Sequence, residues 1–248
     1  MFDHVTIRVA DREASEGFYD TVLPVLGIER GGGDDRYTEW GDFSIGPAEG
    51  AERVTRRLHI GFGATGPEQV AAFWEAGTRA GFVDDGPPGP RPEYSAGYVG
   101  AFLLDPDGNS VEAVVHETSV PGTIDHLWLR TADLEGAARF YAAVGPHAGF
   151  RLSERRPGRV QFASARGSFS FVEGEPSERV HLAFGVDDDA VVDAFHRDLV
   201  ARGYRDNGGP GERPEYHPGY YGAFVLDHDG HNVELVNHHR PATAPAAH

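Results

Sequence analysis

Apolar and polar residues alternate from Phe2 to Val9, with Val5, Ile7 and Val9 on one face and His4, Thr6 and Arg8 on the other. That period of two predicts a half-buried strand. From Ala10 to Leu26 the apolar spacing lengthens: Phe18, Val22 and Leu26 fall on one helical face, with Asp11 placed as a cap. Weaker strands are expected around 36–46. Arg57 to Phe62 alternates again, Leu58, Ile60 and Phe62 against His59, Gly61 and Gly63, and a second helix is expected over Pro67 to Ala80. After Gly81 come two strands and a loop, then a closing strand from Ser110 to Val115. It places Glu112 and Val114 opposite Val111, Ala113 and Val115. The turn before that strand, Asp-x-Asp-Gly, suits a tight reversal, because Gly tolerates positive φ and Asp can bond its own backbone.

The pattern then repeats. At a shift of 122 positions His4 meets His126, Arg8 meets Arg130, Phe18-Tyr19 meets Phe140-Tyr141, His59 meets His181, and Glu112 meets Glu234. Arg91 to Val114 (RPEYSAGYVGAFLLDPDGNSVEAV) is nearly copied at Arg213 to Val236 (RPEYHPGYYGAFVLDHDGHNVELV), whereas 30–57 and 152–179 match poorly. A fixed-period repeat of this size is a duplicated domain. The expected organisation is a first domain over 1–116, a linker over 117–123, a second domain over 124–240 and a disordered tail over 241–248. Each half reads β-α-β-β-β twice, an α+β architecture.

Composition narrows the chemistry. A formal charge of −17 argues against a nucleic-acid or anionic-membrane surface. Cysteine is absent, which excludes disulfides, thiolate zinc sites and Cys nucleophiles. All 22 basic residues are Arg, so Schiff-base chemistry and a P-loop are excluded as well. The beginning of the chain lacks a basic region followed by an apolar run, and no apolar stretch approaches the ~20 residues that cross a bilayer. A cytoplasmic protein, monomeric or a homodimer, working on a small molecule is the expectation.

A carboxylate within an apolar strand needs a partner. Glu112 and Glu234 find candidates in His4, His59, His126 and His181, which lie on strands with identical intervals of 55 and 53 in the two halves. Two imidazoles and one carboxylate form a facial set that leaves coordination positions open, suited to Fe(II) first and to Mn, Co, Ni or Zn as well. The small residues beside the second His (Gly61 and Gly63; Ala183 and Gly185) are read as room for a ligand over the metal. His116 and His238 fall four residues beyond the Glu, about 13 Å along a strand at ~3.3 Å per residue, too far to share its metal. They are expected, with His239, at the surface.

With these residues in place, the chain resembles the vicinal oxygen chelate superfamily, which includes glyoxalase I, bleomycin resistance proteins and type I extradiol dioxygenases. GAFxLDxDGxxVE is its most recognisable piece. The resemblance implies two tandem domains, each a pair of βαβββ modules whose curved sheet forms a cup around a metal that chelates two adjacent substrate oxygens. Carried over within each half, it gives His4, His59 and Glu112 as one ligand set and His126, His181 and Glu234 as the other. Exchange of modules between domains would instead complete His59 and Glu112 with His126. His217 matches the dioxygenase signature His, which is Ser95 in the first half, but Phe224 and His228 stand where that signature has Tyr and Pro. QFASARGSFS also lacks the acid–base His of those enzymes, and the second Glu of glyoxalase I is missing.

The expected activity is that of a metal-dependent, dioxygenase-type oxidoreductase acting on a small cyclic or aromatic substrate. The alternatives are an isomerase, epimerase or lyase, and a non-catalytic antibiotic-binding protein. His217, Tyr216 and Tyr220 are the candidate proton handlers. Arg213 and Arg91 are candidate anion clamps, with Tyr94, Tyr98 and Trp128 as further substrate contacts.

Overall fold

The computed structural model describes residues 1–49 and 54–239; the expected tail at 241–248 lies outside the described residues. The chain builds four β-α-β-β-β modules in succession. The first is β1 (His4–Val9), α1 (Arg12–Val22), β2 (Arg30–Gly33), β3 (Thr38–Trp40) and β4 (Phe43–Pro47). The second is β5 (His59–Gly63), α2 (Pro67–Arg79), β6 (Val83–Pro90), β7 (Val99–Leu104) and β8 (Ser110–Val115). The third is β9 (Ile124–Thr131), α3 (Leu134–Ala148), β10 (Arg151–Arg156), β11 (Arg159–Ala163) and β12 (Ser168–Glu173). The fourth is β13 (His181–Gly185), α4 (Asp189–Ala201), β14 (Arg205–Glu212), β15 (Tyr221–Leu226) and β16 (Asn232–Asn237).

Local chemistry explains these elements. Asp11, Asp133 and Asp188 each accept a backbone N–H from the first turn of the helix that follows, and so satisfy donors the helix leaves orphaned. In the turn before β8, Asp105 accepts from the backbone N–H groups of Asp107 and Asn109, and Gly108 takes φ +84°, which a residue with a Cβ would resist. The strand β2, Arg-Gly-Gly-Gly, carries no pattern that marks a strand. It forms as an exposed edge, held by its pairing with β3.

The modules combine in crossed order. One eight-stranded sheet runs β14-β15-β16-β13-β1-β4-β3-β2, the other β10-β11-β12-β9-β5-β8-β7-β6. The first sheet therefore joins the first and fourth modules, and the second sheet joins the second and third. The sequence repeat marks units of sequence, and the sheets cut across them. At each seam two module-opening strands meet antiparallel, His4 facing Ala183 in one and His126 facing Gly61 in the other. Within every module the first and last strands pair in parallel.

The strand faces divide as their periodicity predicts. Val5, Ile7, Ile60, Phe62, Leu127, Leu129, Leu182 and Phe184 are buried in one continuous core shared by both sheets, with Phe43 against Phe62 and Phe169 against Phe184 across it. Helices α1 and α4 pack on the first sheet, α2 and α3 on the second. The opposite face of each sheet, carrying the histidines, is left as a cup.

Candidate metal centre

Each cup gathers three donors near its seam: His4, His181 and Glu234 in the first, His59, Glu112 and His126 in the second. The grouping within one half, His4 with His59 and Glu112, does not occur. The parallel pairing β5–β8 sets His59 near Glu112, but the neighbour across the seam is β9, which brings His126. The module-exchange arrangement is the one the chain adopts.

In the second cup His59 Nε2 lies 3.0 Å from Glu112 Oε2 and 3.1 Å from His126 Nε2, and His126 Nε2 lies 3.3 Å from Glu112 Oε2. Donors at right angles around an ion with bonds of ~2.1 Å stand about 3.0 Å apart, so the triangle fits a divalent metal. The outer nitrogens fix the tautomers. His126 Nδ1 donates to Asp125 Oδ1 at 2.9 Å, which His116 Nε2 also approaches at 3.0 Å. His59 Nδ1 donates to Ser110 Oγ at 3.1 Å, and that hydroxyl donates onward to Asp85 at 2.7 Å. Both Nε2 lone pairs are thereby turned to the centre, the outer-shell arrangement of metal-binding histidines. Tyr98 donates to Glu112 Oε1 at 2.9 Å, leaving Oε2 for the cluster.

Without a metal, His126 holds a proton and Glu112 stays ionised beside it. Burial alone would lower the His126 pKa, but hydrogen bonds and charge from Asp125 and Glu112 override it and hold it at about 9. Burial would raise Glu112, and the hydrogen bonds from His126 and His59 bring it down to about 2.

The first cup repeats the plan with changes. His4 Nε2 is 3.1 Å from His181 Nε2, and His181 Nε2 is 3.0 Å from Glu234 Oε2, but the third edge, His4 to Glu234, opens to 3.7 Å. The residue facing the seam histidine differs by one methyl group. A Cβ on Gly61 would stand 2.4 Å from the His126 ring, so the second cup draws its histidine in over a glycine, whereas His4 faces Ala183. These small residues therefore make room for protein and not for a ligand over the metal: Gly63 passes Val120 O, and Gly185 lies by the Asp3 carboxylate. His181 Nδ1 meets the Asn232 amide nitrogen at 2.6 Å, while Asn232 Oδ1 accepts from Asn207. In that orientation neutral His181 carries its proton on Nε2, facing Glu234.

Other sequence-selected residues lie around the cups. Tyr220 donates to Glu234 Oε1 at 2.6 Å and, like Tyr98, has its pKa pushed up by burial and then by the adjacent carboxylate, so both hydroxyls orient a Glu and stay protonated. His217 Nδ1 donates to its neighbour's carbonyl, and its Nε2 lies 2.8 Å from His238 Nδ1. Tyr216 is exposed at the rim beneath the Arg36 guanidinium. Arg91 and Arg213 spend terminal nitrogens on carbonyls of their own loops, Pro87 and Gly209, and cover Phe102 and Phe224. Tyr94 packs between Tyr98 and Trp128, whose edge meets His59.

His116 and His238 are not surface residues. Their side chains are 20% and 14% exposed and close on Asp125 and Asp3, whereas His239 is about half exposed, as expected. Strand spacing excluded a direct metal bond but not this outer contact. Asp3 and Asp125 escaped sequence reasoning too, although the Asp-His pair recurs at both positions.

Residues 123–235 match the family described as the Glyoxalase/Bleomycin resistance protein/Dioxygenase superfamily. Glyoxalase I from Zea mays is similar over 96% of this chain and 92% of its own, at 20% identity and a TM-score of 0.66. A putative dioxygenase from Bacillus subtilis subsp. subtilis str. 168 is similar over 95% and 84%, at 15% identity and a TM-score of 0.64. No curated protein gives a match. At these identities the two structures share the fold and say nothing of the reaction. The family match covers the second copy of the duplicated unit, and the fold shared with the two structures spans both copies.

Proposed function

We propose that the protein is a metal-dependent enzyme of the oxygenase type, working in the second cup on a small cyclic or aromatic molecule with two adjacent oxygens. The observation that carries this reading is the His59, Glu112 and His126 triangle at the floor of a cavity of about 920 Å3 lined by Trp128, Tyr94 and Phe102. That volume suits a small ligand. A three-residue donor set of two imidazoles and one carboxylate leaves positions for two substrate oxygens and for dioxygen, which favours Fe(II). Bound there, the ion supplies Lewis acidity and access to dioxygen.

The chain does the rest. Asp125 and Ser110 hold the imidazoles in the ligating tautomer, and Tyr98 fixes the rotation of Glu112. Trp128 and Tyr94 wall the cavity beside His59. In the first cup, His217, His238 and Asp3 form a hydrogen-bonded path from the rim to His4, placed to carry a proton.

A redox-neutral isomerase or lyase reading is favoured by Glu39. It stands on the cup face of the first sheet, in register with Ser44 and Thr6, as a carboxylate available for proton abstraction.

Oxygen uptake by protein reconstituted with Fe(II) under exclusion of air, then given a catechol, separates the two. Uptake that vanishes in Glu112→Ala supports the oxygenase. Turnover of a 2-hydroxy carbonyl compound without oxygen, retained with zinc or manganese, replaces it with the redox-neutral reading.

A further inference from the structure

One arginine in the second cup has no ion-pair partner among the described residues. Arg159 lies half-buried in the cavity wall, its guanidinium 4.4 Å above the Trp128 ring and its Nε donating to Ser170 Oγ at 3.2 Å. Among the described residues its terminal nitrogens meet no carboxylate and no carbonyl. The other arginines of this cavity are engaged: Arg91 by its own loop, and Arg156 by Glu154 at 2.6 Å. Burial lowers the Arg159 pKa from its ordinary value, as desolvation of an unpaired cation must, and the group remains charged at neutral pH. A guanidinium fixed at one nitrogen and one face in a cavity wall, with its terminal nitrogens uncommitted, is preorganised for a carboxylate. The same ring that pins it meets His59 edge-on, with centroids 6.4 Å apart, so one indole joins the guanidinium to the donor triangle.

The first cup lacks the ring that pins Arg159: sheet register puts Thr6 where Trp128 stands.

We propose that Arg159 is the substrate-binding cation of the second cup, and that the substrate is a small planar monocarboxylate with two adjacent oxygens. Its carboxylate lies on the Arg159 fork and its adjacent oxygens turn toward His59, Glu112 and His126. This rests on the metal-centred reading for the position of the adjacent oxygens, but not for the recognition of charge.

The test is calorimetric titration of 3,4-dihydroxybenzoate and of its neutral counterpart 3,4-dihydroxybenzamide into the full chain. Both are titrated with a measured content of divalent metal and after chelator treatment. The acid is expected to bind roughly 10- to 100-fold more tightly than the amide. In Arg159→Gln that preference falls to about twofold or less with metal content unchanged, and Arg159→Lys, which keeps the charge without the fork, recovers part of it. Equal binding of the two ligands by the wild type, or an undiminished preference in Arg159→Gln, overturns the assignment. If metal adds nothing to the affinity of either ligand while Arg159 still selects the acid, the charge recognition stands and the metal-centred reading falls.

Discussion

The two cups carry the same donors, two histidines and one glutamate, in the same order across the sheet, and still differ as instruments. The second closes His126 to within 3.3 Å of Glu112 and turns both ring lone pairs inward; the first leaves His4 at 3.7 Å from Glu234 and sets an amide N–H against His181. The second is walled by Trp128 and Gln161, where the first offers Thr6 and Glu39, and it carries Arg159 over the Trp128 ring. Duplication thus preserved the donors and the loops that aim the carboxylates, while the neighbours that tune affinity and selectivity diverged. Ligand identity alone does not make two sites equivalent; Gly61 against Ala183, and Ser110 against Asn232, decide how ready each is.

The largest expected effect concerns the crossed pairing. His126→Ala and Glu112→Ala each lower metal content by about one ion per chain at saturation, and the double variant loses no more than either alone, because both disable one site. His126→Ala with Glu234→Ala loses both. Elemental analysis reads the difference, and equal losses in the two doubles would break the comparison at its root.

A smaller change tests the seam. In Gly61→Ala the new methyl pushes the His126 ring from the triangle, and second-cup affinity falls at least ~10-fold, while Ala183→Gly lets His4 close toward Glu234 and tightens the first cup. Competition with a chelating dye follows both.

The outer contacts come next. Asp125→Asn weakens binding about 10- to 100-fold. Asn232→Asp, which gives His181 Nδ1 an acceptor, strengthens the first cup by a factor of the same order.

The most modest expectation is a pH profile. With metal removed by chelator, His126 titrates at about 9 when folded against ~6.5 when unfolded, so its stabilisation is complete below ~6.5 and is lost as the pH rises through 9. Glu112 is depressed to about 2 against ~4.3, so its contribution is present above ~4.3 and is lost as the pH falls toward 2. Asp42, raised to about 6 mainly by burial, contributes fully below ~3.9 and loses that contribution as the pH rises through 6, which draws the maximum toward the acid side. Thermal melts of the chelated protein should peak between about pH 4.3 and 6.5. A stability maximum near pH 9 would contradict the proton sharing inferred for the cluster.

Much of this was legible in the sequence, and the illegible part has a physical reason. Period-two alternation placed β1, β5 and β8 within a residue or two, and the 122-residue repeat gave the four modules and all six candidate donors. Nothing in a periodicity states which strand lies across a seam, since His4 has the same local pattern whether β5 or β13 is its neighbour. Arg159 was invisible for a related reason: it lies where the repeat fails, and its role arises from a cross-strand ring. His116 and His238 were misplaced because a distance along one strand excludes a shared metal but says nothing of a carboxylate on the next module.

Crossed pairing also orders the birth of the protein. The second sheet is drawn from one uninterrupted stretch, residues 59–173, nested between the two parts of the first sheet, 4–47 and 181–237. As the chain leaves the ribosome, everything the second cup needs has emerged before β13 begins. The first cup must hold β1 in waiting until the last strand arrives, because His4 and His181 stand 177 residues apart. Non-local closures of that kind are slow and leave an edge exposed meanwhile. The better-formed site is therefore also the earlier one, and its finished sheet is the platform on which the later cup is assembled.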